Sequence, residues 1–187
     1  MKLFLNLLLA CTLLLTSCDS DDDTTSIDNL STLTDLNGET GLSYDESLSK
    51  WTGLKTDNGR SYIYQTDIIS FTGDGSTTEI KVLDNSVVSR VYQSFTINGE
   101  TGERTITDTY SENEAALGTN QEGAAPLTID ELYNSCASEY LVVDQENNTI
   151  YLQTEVNGLL TLCGFTPNNC ADDCFTGISI KAFDWIN

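Results

Sequence analysis

Between residues 62 and 110 this sequence repeats one pattern: a run of alternating apolar and polar residues, a polar break of a few residues, then another run. Tyr62, Tyr64 and Thr66 alternate and pass into Ile68, Ile69 and Phe71. Ile80 and Val82 mark a second run, 87–97 a third and 104–110 a fourth. Gly73-Asp74-Gly75, Asp84-Asn85 and Asn98-Gly99 separate them, and Asn-Gly is the strongest short hairpin signal a sequence carries. Parallel neighbours need a crossover of about a dozen residues or more. None of these breaks is long enough, so the pattern predicts an antiparallel sheet and argues against a doubly wound parallel one.

Two capping boxes interrupt the strands. Ser43-Tyr44-Asp45-Glu46 and Thr128-Ile129-Asp130-Glu131 both place a hydroxyl three residues before a carboxylate, the reciprocal arrangement that satisfies the first amides of a helix. Leu48, Trp51 and Leu54 predict the apolar stripe of the first helix, which Asp57-Asn58-Gly59 ends; Leu132, Tyr133 and Cys136 follow the second. Residues 111–126 have no apolar period and are expected to form an exposed loop. Further strands are expected at 140–143, 149–156, 159–163 and 178–185, with Asn157-Gly158 as a turn. The expected fold is α+β: an antiparallel sheet of about six to eight strands with two short helices, braced by disulfides.

Composition narrows the chemistry. Lys and Arg total 8 against 29 Asp plus Glu, a formal charge of −21, and there is no His. Binding to nucleic acid needs a basic face to displace phosphate counterions, so it is excluded on charge. Without His the Ser-His and Cys-His couples are unavailable to a nucleophile. Arg60, Arg90 and Arg104 are few and scattered, which leaves little to stabilise an anionic transition state. A pair of carboxylates can hydrolyse a glycoside, but no two of the many Asp and Glu stand out.

The N-terminus is an address. Met1-Lys2 precedes a Leu-rich run from residue 3 to 15, which at about 13 residues is shorter than the roughly 20 a spanning helix needs and has the layout of a secretory signal. Leu15-Thr16-Ser17-Cys18 resembles the lipobox of bacterial lipoproteins. That resemblance implies cleavage before Cys18 and a diacylglycerol on its sulfur, and two or more acyl chains suffice for stable anchoring. Ser20-Asp21-Asp22-Asp23, directly beyond, looks like the export signal of Bacteroidota surface lipoproteins, which implies an outer-membrane location facing the exterior. Asp23-Thr24-Thr25 resembles the short O-glycosylation motif of the same bacteria. Residues 1–17 are therefore expected to be a signal peptide and 18–42 a lipidated acidic tether. From 19 to 49 there are nine acidic residues and no Lys or Arg, a composition that buries too little apolar surface to offset its ordering entropy. A single globular domain is expected over 43–187.

Of six cysteines, Cys11 lies in the signal and Cys18 in the lipobox. Cys136, Cys163, Cys170 and Cys174 remain on the oxidising side of a membrane, where disulfides persist. Four cysteines allow three pairings. Cys136–Cys163 with Cys170–Cys174 is favoured, a crossed pairing and a four-thiolate zinc site being the rivals. Asp144, Glu146, Asn148 and Glu155 have some of the spacing of a calcium loop, but Thr149 stands where that loop needs Gly. Asn168, Asn169, Asp172 and Asp173 are expected to form a polar turn, with weak calcium chelation as the other reading.

Over most of 43–187 the Trp51 helix, the Tyr62-Tyr64 strand, the 80–91 hairpin, Thr128-Ile129-Asp130-Glu131-Leu132-Tyr133 and the Cys-rich end before Gly177-Ile178-Ser179-Ile180 resemble a small secreted bacterial domain family of unknown function. That resemblance implies a compact α+β lipoprotein domain. The expected function is a surface-exposed outer-membrane lipoprotein acting as a non-catalytic binding or accessory component of an envelope assembly. It needs no cofactor or metal, and its partners are the membrane, through Cys18, and an envelope protein or external ligand. The alternative is an acidic inhibitor of a basic secreted enzyme such as a lysozyme or protease, since strong charge steers association; a carboxylate hydrolase comes third. Tyr62, Tyr64, Tyr92 and Trp51 are candidates for either core or contact.

Overall fold

A computed structural model describes residues 38 and 40–186. Cys18 and the Ser20, Asp21, Asp22 and Asp23 signal lie outside the described residues. The element order is α1 (Tyr44–Asn58), β1 (Tyr62–Ile69), β2 (Asp74–Leu83), β3 (Ser86–Ile97), β4 (Arg104–Asn113), α2 (Ile129–Ser135), a π-helical turn (Cys136–Tyr140), β5 (Asn148–Thr154), β6 (Leu160–Pro167) and β7 (Thr176–Trp185). The seven strands form one sheet in the order β4-β3-β2-β1-β7-β6-β5, every pair antiparallel. It consists of two meanders, β1–β4 and β5–β7, joined where the first strand of one meets the last strand of the other. Because β4 and β5 are opposite edges, the chain between them must cross the sheet, and α2 lies on this crossing.

Both helices cover the same sheet face. Ser43 and Thr128 each accept from the amide three residues on, while Glu46 and Glu131 return to the cap amides. The face α1 buries is Tyr44, Ser47 and Trp51, with Leu48 and Leu54 half-buried, so the seam runs about one position from the Leu48-Trp51-Leu54 stripe. Ser47 is tolerated there because its hydroxyl donates to the Gly158 carbonyl at 2.6 Å and lies 2.6 Å from the Tyr133 hydroxyl. A buried hydroxyl with its partners in place avoids the desolvation cost of an unpaired one.

Below α1 the sheet supplies aromatics. Trp51 stacks on Trp185 at 5.5 Å and meets Tyr62 and Phe183 edge-on at 5.5 and 5.8 Å, the offset and edge geometries aromatic pairs prefer. Trp51, Tyr62, Tyr64 and Tyr92 are therefore interior residues. The tyrosines also tie elements together: Tyr62 accepts from the Ile129 amide at 2.9 Å, Tyr64 donates to the Leu127 carbonyl at 2.6 Å, and Tyr44 donates to the Tyr133 carbonyl at 2.9 Å. Burial pushes all three phenols up, Tyr44 to about 12, so they remain neutral hydroxyls. Trp51 Nε1 donates to Asp130, which also pairs with Lys55.

Three local expectations change. Residues 140–143 are not a strand. The helix continues past Ser135 into the π-helical turn, and Leu141 N–H reaches back to the Cys136 carbonyl at 3.0 Å. That wider turn buries Leu141, and the disulfide at Cys136 pins the turn to β6. The Asn98-Gly99 hairpin has a longer loop than two residues: Asn98 Oδ1 accepts from the amides of Glu100 and Thr101, and Gly102 takes the positive φ of 71°. The Asp84-Asn85 turn, by contrast, is as expected, with φ of 46° and 66°, the left-handed pair whose twist suits a two-residue hairpin. β2 begins at Asp74 and β4 runs on to Asn113, which shortens the 111–126 loop.

The cysteines form Cys136–Cys163 and Cys170–Cys174, with Cα atoms 5.7 and 6.2 Å apart. The first joins the π-helical turn to β6 and closes a separation of 27 residues, the second one of 4. In the chain-entropy picture these closures contribute about 3.5 and about 2 kcal/mol. Replacing Cys136 and Cys163 by Ser should therefore lower the urea midpoint more than replacing Cys170 and Cys174, which equilibrium unfolding followed by Trp fluorescence will read.

Candidate functional site

The junction of the two meanders is incomplete. β1 pairs with β7 from Tyr62↔Trp185 to Thr66↔Ile180, with a register shift between Gln65 and Thr66. Past that point β1 continues with β2 alone, through Asp67↔Thr77 to Ile69↔Gly75, and β7 begins with β6 alone, from Phe165↔Thr176 to Leu162↔Ser179. The two strands diverge, and a cleft of about 450 Å³ opens between them. Its size suits a small ligand or a few side chains.

The cleft is lined from both sides of the sheet. Ile68, Leu127, Leu132, Tyr140 and Ile178 contribute on the helix-covered side, while Leu162, which pairs with Gln153 and Ser179 and is one residue out of phase with buried Cys163, faces the open side. Ile69 and Phe175, one residue out of phase with Ile68 and three with Ile178, belong to the open side. Polar lining comes from Thr66, Asp67, Ser70, Asp173 and Ser179, and among the described residues no Lys or Arg contributes. Ile68 near the end of β1 and Phe71 in the turn beyond it are 68 % and 77 % exposed. At the far end Ser70 donates to Asp173 Oδ2 at 2.9 Å, linking β1 to the Cys170–Cys174 loop. Gly164 leaves the space for the Phe175 ring, since a Cβ there would lie 2.6 Å from Phe175 Cζ.

One wall is a strap, residues 114–127, held down by a buried ion pair. Arg90 on β3 and Glu112 on β4 are direct cross-strand partners, 2 % and 3 % exposed. Arg90 Nη2 donates to Glu112 Oε1 at 3.0 Å and to the Asn120 carbonyl at 2.7 Å, and Nη1 to the Ala124 carbonyl at 3.0 Å. Its Nε lies 2.9 Å from Oε2, close enough for an ion pair although the N–H is not aimed for a hydrogen bond. Glu112 also accepts from the amides of Gly118 and Asn120 at 2.9 and 2.7 Å and from the Asn120 side chain at 2.8 Å. Gly123, at φ 80°, lets the strap approach the sheet; a Cβ there would meet Thr78 Oγ1 and Tyr92 Cδ2 at 2.6 Å. The strap then presents Gly123, Ala124, Ala125 and Leu127 to the cleft.

Burial by itself pushes the Glu112 carboxyl up, but the Asn120 and Gly118 amides, the Asn120 side chain and Arg90 outweigh it and hold it at about 2. A depressed carboxyl contributes stability that is complete above its ordinary value near 4.5 and is lost as the pH falls through about 2. The urea midpoint should therefore fall more steeply in the native chain than in Glu112→Gln between about pH 5 and about pH 2. Parallel curves would show that the strap is held by something else.

The other sequence candidates have structural roles here. Asp144 accepts from the Glu146 amide at 2.9 Å and from the Asn147 side chain, closing a turn. Asn168 bonds Thr149 at 2.8 Å and the Glu146 carbonyl at 3.1 Å. Among the described residues no group of three or more Asp, Glu or Cys is placed to hold a metal ion. Arg104 lies over the Phe95 ring at 3.4 Å and donates to Thr77 at 2.8 Å. The one sequence signal for the Arg90–Glu112 pair is that each stands two positions from a tyrosine, Tyr92 and Tyr110, in the alternation of its strand.

Fold and cleft together define an α+β domain on one divided antiparallel sheet. No family model matches the chain, and no match was found among the curated proteins or the solved structures. Among the described residues no helix is long and apolar enough to cross a membrane.

Proposed function

We propose that this chain is an outer-membrane lipoprotein, anchored through Cys18 and displayed on the cell exterior, whose domain is a non-catalytic binding component of an envelope assembly. The observation that carries the binding half is the cleft between β1 and β7: concave, mostly apolar, and lined in part by exposed Ile68 and Ile69. Apolar surface left open beside a concave site favours association, because covering it removes that surface from water. The anchoring half rests on the Leu15-Thr16-Ser17-Cys18 lipobox and the Ser20-Asp21-Asp22-Asp23 export signal. Two braces suit such a domain to an extracytoplasmic position, where disulfides are not reduced.

Each half has its own test. Cells producing the chain should incorporate radiolabelled palmitate into it, and Cys18→Ser should abolish the label; persistence of the label, or none in the native chain, removes the anchor. Phenylnaphthylamine should brighten on binding the Cys18→Ser mature chain, and Ala125→Trp, an exposed position in the cleft wall, should weaken that signal roughly tenfold by filling the space. An unchanged signal in Ala125→Trp removes the cleft as the binding site.

A further inference from the structure

We infer that the cleft receives an extended, basic, apolar peptide segment, which enters between β1 and β7 as an added strand. This inference rests on the reading of the cleft as the binding site and adds the kind of partner. Three observations carry it.

The first is backbone geometry. Asp67, Ile68 and Ile69 use one edge of β1 for β2, and residues 176–179 use one edge of β7 for β6. Among the described residues their facing edges have no strand partner past Thr66↔Ile180. An extended segment lying antiparallel to β1, and therefore parallel to β7, meets on β1 the same N–H and C=O pattern that an antiparallel neighbour would and on β7 the slanted pattern of a parallel one, and main-chain bonds of this kind provide affinity without regard to side chains. A rounded small molecule leaves those edges unpaired.

The second is the two-sided lining. Side chains of an extended segment alternate between faces. One set would contact Ile68, Leu127 and Leu132 on the covered side, and the other Ile69 and Phe175 on the open side. Apolar contacts on both sides suit a segment with consecutive apolar residues, as a strand buried on both faces requires.

The third is charge. Among the described residues the lining holds Asp67 and Asp173 and no Lys or Arg, on a chain of net charge −21. Complementary potentials favour encounter with a cation and disfavour an anion. Basic residues flanking the apolar ones therefore fit, and acidic ones do not.

The test uses the Cys18→Ser mature chain and calorimetric titration with three defined peptides. They are acetyl-Lys-Val-Trp-Val-Lys-amide, its counterpart with Glu for both Lys, and its counterpart with N-methyl groups on both Val amides. The basic peptide should bind saturably at one per chain, the acidic one roughly tenfold or more weaker at low salt, and the N-methylated one also roughly tenfold weaker because its donors are removed. Ala125→Trp and Ile68→Ser, both at exposed positions, should each weaken the basic peptide while thermal unfolding shows a folded chain. Equal binding of the N-methylated or the acidic peptide overturns the inference. Failure of the basic peptide where phenylnaphthylamine still binds in an Ala125-dependent way overturns the inference and leaves the cleft reading standing. If neither probe binds in a way that Ala125→Trp alters, both fall.

Discussion

The pairing of β1 with β7 is the contact on which the rest of the molecule depends. Each meander folds from local hairpins, but neither can close the core by itself: Tyr62 and Tyr64 come from one, Phe183, Trp185, Ile178 and Ile180 from the other. Joined from Tyr62↔Trp185 to Thr66↔Ile180, they present a continuous apolar surface on which α1 places Trp51. The same junction requires the chain to travel from β4 at one edge to β5 at the other, and that journey positions α2, the π-helical turn and the Cys136–Cys163 bridge. Where the junction ends, the cleft begins.

Polar groups do structural work that apolar burial leaves undone. The strap has little apolar surface of its own, and it lies on the sheet because Arg90 and Glu112 offer it fixed donors and acceptors from beneath. Breaking a buried pair by removing one partner is far more costly than replacing both with apolar residues, so the two charges depend on each other and on the strap amides. Ser47 and the Tyr133 hydroxyl play the same part under α1, where both reach the Gly158 carbonyl. These hydrogen bonds give direction to a core whose aromatic packing alone would tolerate several arrangements.

Much of the architecture was legible in the sequence, because hairpins and caps are local. The antiparallel sheet followed from alternation and short breaks, and α1 and α2 from Ser43/Glu46 and Thr128/Glu131, while the cysteine pairing favoured among three possibilities is the one the structure holds. What escaped was non-local. The Val142-Val143 pair reads as β-branched strand, yet the bridge at Cys136 and the burial of Leu141 keep the chain in a helical turn. The burial of Ser47, outside the Leu48-Trp51-Leu54 stripe, depends on Tyr133 and Gly158, which lie more than 80 positions away. The strap looked like an exposed loop because its anchors are a single Arg and a single Glu. The cleft had no sequence signature at all, since it arises where two distant strands stop pairing.

Amide hydrogen exchange read residue by residue tests the divided sheet most directly. Slow exchange is expected for the paired amides of residues 62–66 and for those of residues 67–69 and 177–179 that point to β2 or β6. The amides of 67–69 and 177–179 that point into the cleft should exchange faster, by roughly the difference between a bonded and an open strand edge. Uniform protection across both stretches would mean that β1 and β7 pair along their whole length, and the cleft would have no place in the molecule.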